Sequence, residues 1–287
     1  MSIFLNKLEP FGNLIQESCC KTREHPTYTR TIVSYLPQVL CLSASPHLQA
    51  FDRPLLQSLA QHTPIAHWEY QQTPDEPCSL DTALVSLHDY LKHRHQPIHL
   101  IGHGISGLLA LLYAQRHPER VRSLALLSVG AYPAVDWQAY YYAQRQLLSC
   151  SRQLLLTRMV DILFGYSPQA ITTALVKILE QDIDDSLSPH SLVKCLSLAP
   201  IRVAVPLLVC GGVDDVVVDP HQLRSWRSYF NEEPEAISQL WVCPGGRYFF
   251  HFFYPQQTKE AILKFWRSLP SSQNNCLSEN LFSASNF

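Results

Sequence analysis

The chain has 287 residues, 46% of them hydrophobic, with 22 Lys and Arg against 24 Asp and Glu and a net charge of -2. That length suits one α/β domain with an inserted lid, and the apolar content suits a packed core rather than disorder. The balanced charge, without a Lys- and Arg-rich run, argues against a nucleic-acid surface, and no apolar run approaches the roughly 20 residues of a membrane helix.

The opening residues, MSIFLNKLEPFGN, lack the long apolar core of a signal peptide, so the expected location is the cytoplasm. Residues 1–28 read as an N-terminal extension. Short apolar runs predict strands at 31–36, 39–44, 65–70, 98–101, 121–128, 207–210 and 239–243. Helix-period segments lie between or after them at 54–61, 80–93, 106–117, 222–230 and 255–269. Such alternation predicts an α/β fold, a mostly parallel central sheet flanked by helices, with its core in 29–130 and 201–269. Residues 131–200 contain no strand signal and read as a helical insertion, with helices at 138–148, 154–164 and 168–180. The insertion is rich in large apolar groups (Trp137, Tyr140, Tyr141, Tyr142, Met159, Leu163, Phe164), which suit either a ligand roof or packing on the sheet. Residues 270–287 are polar and read as a flexible tail. The cysteines at 19, 20, 41, 78, 150, 195, 210, 243 and 276 form no C-x-x-C pair and read as free thiols in a reducing cytosol.

One turn carries the functional question. Residues 101–107 read IGHGISG, preceded by the strand-like PIHL and followed by GLLALLYAQRHPERVRSLALLS, a helix and another strand. This stretch resembles the α/β-hydrolase superfamily, whose nucleophile elbow is G-x-S-x-G. On that motif Gly102 takes the first glycine, Gly104 the serine and Ser106 the second glycine. The resemblance implies the α/β-hydrolase fold, with residues 131–200 as its helical cap. It also implies a reaction for which Gly104 has no hydroxyl. Glycine adopts the positive φ of an elbow apex with little steric penalty, so Gly104 keeps the turn. Ser106 lies two residues on, its side chain turned by about 200° at 100° per residue, and reads as a helix N-terminal residue capping backbone N–H groups.

The resemblance places the acid three residues after a strand-end glycine, so in VPLLVCGGVDDVVVDP Gly212 points to Asp215; the alternative is that Asp214 and Asp215 form only a turn. In WVCPGGRYFFHFFYPQQTKEAILKFW the histidine position falls on Arg247 counted from Pro244, or on Tyr248 counted back from Pro255. Neither is a base at neutral pH. His251, three or four residues later, either reaches the site by a different loop path or packs among the phenylalanines around it. Ser43-Ala44-Ser45-Pro46 replaces the family's His-Gly pair, leaving the Ala44 or Ser45 N–H to act with Ile105 as oxyanion donors. Glu69, Asp75 and Glu76 read as solvated loop charges without a metal-ligand set, and no metal or cofactor is expected.

These residues predict a non-catalytic α/β-hydrolase-fold protein. Its pocket, formed by Ser45, His103, Gly104, Ile105, Arg247 and Tyr248, would bind a small apolar ligand, or its surface would bind a protein partner. The alternative is an ester or thioester hydrolase with a relocated triad, Ser106–His251–Asp215. A second alternative is serine-independent chemistry with His103 as the base.

Overall fold

Strands buried on both faces need no alternation, and VLCLS and LLVCGG are apolar or small throughout. In the computed structural model, which describes residues 37–72, 79–131, 136–187, 203–230 and 237–270 and the backbone of 15–16, such runs build one sheet. Its strands are β1 (Ile15–Gln16), β2 (Val39–Ser43), β3 (Ile65–Glu69), β4 (Ile98–His103), β5 (Val121–Leu127), β6 (Leu207–Gly212) and β7 (Ser238–Cys243). All pairings are parallel, in the order β1-β3-β2-β4-β5-β6-β7. The chain runs outward from β2 to β3 and then returns to place β4 on the other side of β2. That reversal opens a crevice at the carboxyl ends of β2 and β4, where parallel sheets place their sites.

Side chains of alternate strand residues feed two cores. Leu40, Leu42, Leu100, Leu124 and Leu126 pack on one face, and Val39, Cys41, Ile101, Ala125 and Leu127 on the other. The helices covering these faces are α1 (Arg53–Ala60), α2 (Leu80–Leu91), α3 (Gly104–Arg116), α7 (Pro220–Ser225), α8 (Phe250–Phe253) and α9 (Pro255–Ser268). Helix α3 is buried along nearly its whole length, which explains its run of Leu and Ala. Helix α9 is amphipathic: Thr258, Ile262 and Phe265 face inward, and Pro255 sits in its first turn.

Between β5 and β6 lie α4 (Trp137–Leu147), α5 (Arg152–Phe164) and α6 (Gln169–Asp185). Asp136 caps α4 through the Ala139 N–H and Ser151 caps α5 through the Leu154 N–H. Packing accounts for most of the large residues here, since Trp137, Tyr141, Met159, Leu163 and Phe164 are buried in the main core. Residues 132–135 and 188–202 of the expected cap, the expected strand 31–36 and the tail beyond 270 lie outside the described residues.

Three elements depart from the sequence-based expectation. Residues 15–16, read as part of an extension, pair with β3. The helix expected at 222–230 starts earlier, where Asp219 accepts from the His221 and Gln222 N–H groups. It breaks into a 3-10 turn at Trp226–Tyr229, where Trp226 Nε1 donates to the Val129 carbonyl at 2.8 Å. Helix α8 arises inside the aromatic run that was expected to be loop. Cys41, Cys210 and Cys243 are buried free thiols and Cys150 is a half-buried one. No single helix among the described residues is long and apolar enough to cross a membrane.

Candidate active site

Strand β4 delivers His103 in extended conformation to the crevice, and Gly104 follows with φ +51° as the first residue of α3. The turn is tight. A Cβ on Gly102 would overlap the Ser106 and Gly107 backbone, so β4 and α3 approach at a distance only glycine allows. A Cβ on Gly104 would overlap a different group, the hydroxyl of Tyr248. The volume into which an elbow side chain would project is therefore occupied.

Tyr248 is fully buried between the turn and α4. The Trp137 N–H faces its phenol oxygen, and burial together with the Asp136 and Asp215 carboxylates holds that phenol well above its ordinary pKa. Its main-chain carbonyl accepts from His103 Nε2 at 3.0 Å and from Ser128 Oγ at 2.8 Å. Ser128, at the end of β5, has φ +47°, a strained setting for a non-glycine residue, and its hydroxyl spans Tyr248 and Asp215.

Asp215 follows β6 and is buried. Its Oδ1 accepts from the Val217 and Val218 N–H groups at 2.9 and 3.0 Å, and its Oδ2 from Ser128 Oγ at 3.2 Å. Burial pushes its carboxyl up to about 7 against those hydrogen bonds. Among the described residues, no histidine contacts it through a hydrogen bond.

Ser106 does not cap α3. His103 is the N-cap residue, and the Ser106 hydroxyl instead accepts from the Ala44 N–H at 2.9 Å, across the crevice. One of the two expected oxyanion donors is thereby engaged. His251, wholly buried in α8, shares a hydrogen bond of 2.9 Å between Nε2 and Asp52 Oδ1. None of the hydrogen bonds made by Ser106, His251 and Asp215 joins two of the three, so the relocated triad is not assembled.

Asp52 was missed by the sequence reading. Followed by Arg53 and Pro54 it carries only a helix-start signal, yet its side chain makes no capping bond to α1. His103 lies against His251, ring centroids 4.5 Å apart, and burial together with that neighbour lowers its pKa to about 3. A neutral imidazole so depressed and tied to a carbonyl is a poor general base.

Arg247 leaves the crevice. Its Nη1 donates to the Asp161 and Ile162 carbonyls at 3.3 and 3.4 Å, near the C-terminal end of α5, where a cation is favoured. The expectation that it lines the pocket is corrected by that helix end, which competes for the guanidinium. Replacing it, Arg247→Ala, is expected to destabilise the fold by about 1 kcal/mol in urea denaturation, the scale of such helix-terminus interactions. The cavity itself measures about 20 Å³ and is lined by Ser45, His103, Gly104, Ile105 and Tyr248 with Asp52, Ser106 and Trp137. That volume admits about one water.

Residues 90–155, which span the elbow, match the family described as alpha/beta hydrolase fold. Over 235 residues the chain is 47% identical to an uncharacterized protein of Synechocystis sp., covering 82% of this chain and 92% of that one. It is 41% identical over 229 residues to an uncharacterized protein of Nostoc sp., covering 80% and 90%. Among solved structures, a putative lipase from Acinetobacter baumannii shares the fold with a TM-score of 0.61 at 16% identity, over 82% of this chain and 84% of that one. The chain has the α/β-hydrolase fold. Within this α/β-hydrolase fold, α5 packs on the loop that carries Tyr248 through an aromatic stack. The Phe164 ring lies parallel to Phe249 at 4.6 Å, and both meet Phe51 at 4.9 and 4.8 Å.

Proposed function

We propose that the protein is a non-hydrolytic α/β-hydrolase-fold member that acts by binding a protein partner. The observation that carries this reading is the Tyr248 hydroxyl, packed where any side chain at Gly104 would have to stand. In this reading Gly104, Asp215 and Tyr248 occupy the nucleophile, acid and histidine positions of the superfamily. Loss of the nucleophile alone lowers kcat by on the order of 10⁶-fold, and here the group at the histidine position is a phenol held protonated.

The cavity favours a surface partner over a small apolar ligand. Ligand pockets are typically several hundred Å³. At about 20 Å³ this one would accept an organic molecule only if Tyr248 and Trp137 withdrew together. Buried free thiols at Cys41, Cys210 and Cys243 support a reducing, cytoplasmic setting.

The test is labelling with a fluorophosphonate serine reagent, alongside turnover of p-nitrophenyl esters. Neither is expected. Stoichiometric labelling at Ser106, abolished by Ser106→Ala, would show that the ester or thioester hydrolase reading is the correct one. That reading requires three hydrogen bonds to be exchanged, those of Ser106 with Ala44, His251 with Asp52 and Asp215 with Ser128.

A further inference from the structure

We propose that Asp52, His103 and His251 form a binding site for a divalent transition-metal ion of the zinc type. One ligand atom from each of the three lies within 4.8 Å of the others. A tetrahedral ion with bonds of about 2.0–2.1 Å holds its ligand atoms about 3.4 Å apart, so the widest pair need close by no more than about 1.4 Å. Two imidazoles and one carboxylate form a borderline set that suits zinc, cobalt or nickel better than magnesium or calcium.

The surroundings point to a ligand as well. His251 is wholly buried and turns its Nε2 to Asp52 Oδ1 at 2.9 Å, so an ion would replace the proton that the two share. His103 gives its Nε2 to the Tyr248 carbonyl, the outer-shell bond that orients a metal-bound imidazole and leaves Nδ1 for the ion. Asp52 stands at the start of α1 without capping it, so its carboxylate is committed to this cluster. An apolar wall encloses the imidazoles: the Phe249 ring is 4.9 Å from His103 and the Phe250 ring 5.5 Å from His251. Asp52 and His103 face the cavity of about 20 Å³, which leaves room for one water as a fourth ligand. The three residues come from the position before α1, the end of β4 and α8, so no sequence spacing announces them.

The experiment uses the full chain, stripped with a chelator and titrated with cobalt(II) chloride while the visible absorption is followed, then with zinc chloride as competitor. One equivalent of cobalt with the intense band of a tetrahedral N and O site, displaced by zinc, is expected. Asp52→Asn and His103→Gln should each weaken binding at least 10-fold with unchanged circular dichroism. His251→Gln should do the same, and if it fails to fold, the two other variants decide. Absence of stoichiometric binding in the parent would overturn the proposal and leave a purely hydrogen-bonded cluster. Equal affinity and an equal spectrum in His103→Gln would overturn it too, by placing the ion on other histidines. The non-hydrolytic reading does not depend on either result.

Discussion

Restoring a serine at the elbow, Gly104→Ser, is expected to produce a destabilised and inactive protein, not an esterase. Two costs combine. Residue 104 has φ +51°, where a non-glycine residue loses about 1–3 kcal/mol. The new Cβ also overlaps the Tyr248 hydroxyl, and forcing atoms into a filled core costs a further 1–3 kcal/mol, roughly. Urea denaturation should therefore show a loss of about 2–6 kcal/mol, a sum of those two ranges. The two contributions separate in a double-mutant cycle. Tyr248→Phe removes only the hydroxyl, so Gly104→Ala should cost less in that background than in the parent. Additive losses, or a Gly104→Ser protein of parental stability that turns over p-nitrophenyl acetate, would refute the occupied-elbow picture.

Replacing Asp215 by Asn is expected to change the pH dependence of stability more than its value at low pH. The Asp215 carboxyl is raised to about 7 by burial, against about 3.9 in an unfolded chain. The folded protein therefore holds a proton that the unfolded chain releases as pH rises from about 4 to about 7. The matching stability is fully present below the unfolded pKa and is lost as pH rises through the folded one. Relative to Asp215→Asn, the parent should lose up to about 1.4 kcal/mol per pH unit between about pH 5 and 7, then run parallel above about 8. Asparagine keeps an oxygen for the Val217 and Val218 N–H groups, so the variant should remain folded. His99 and His103, lowered to about 4 and about 3, contribute in the opposite sense. Their stability is present above about pH 6.5 and is lost as pH falls through the folded values. They are common to both proteins and cancel in the difference. Denaturant titrations at several pH values measure it, and a difference independent of pH would mean that Asp215 is ionised throughout.

What could be read in the residues was local. Short apolar runs announce β2, β4, β5 and β6, and the glycine at position 104 announces a positive φ. The partners of the site residues were not legible, because they lie far along the chain: Ala44 is 62 residues from Ser106 and Asp52 is 199 from His251. Counting along a loop left Arg247 and Tyr248 equally eligible. Only packing distinguishes them, since one finds the carbonyl end of α5 and the other the elbow. The run Phe249–Phe253 belongs to no simple period, so α8 gave no signal, and it is α8 that turns His251 toward Asp52.

The stack of Phe164 on Phe249 has a consequence for how the molecule can breathe. On one side of Phe249 in the chain, Arg247 ties its loop to the end of α5; on the other, Phe252 meets Phe51 edge-on at 5.4 Å. Helix α5 is thus fastened to the loop that carries Tyr248, and cannot swing away alone. A fluctuation that lifts it exposes aromatic surface in the helix, the loop and the turn before α1 together. In this chain the helix and the loop beneath it therefore share a single opening instead of two separate ones.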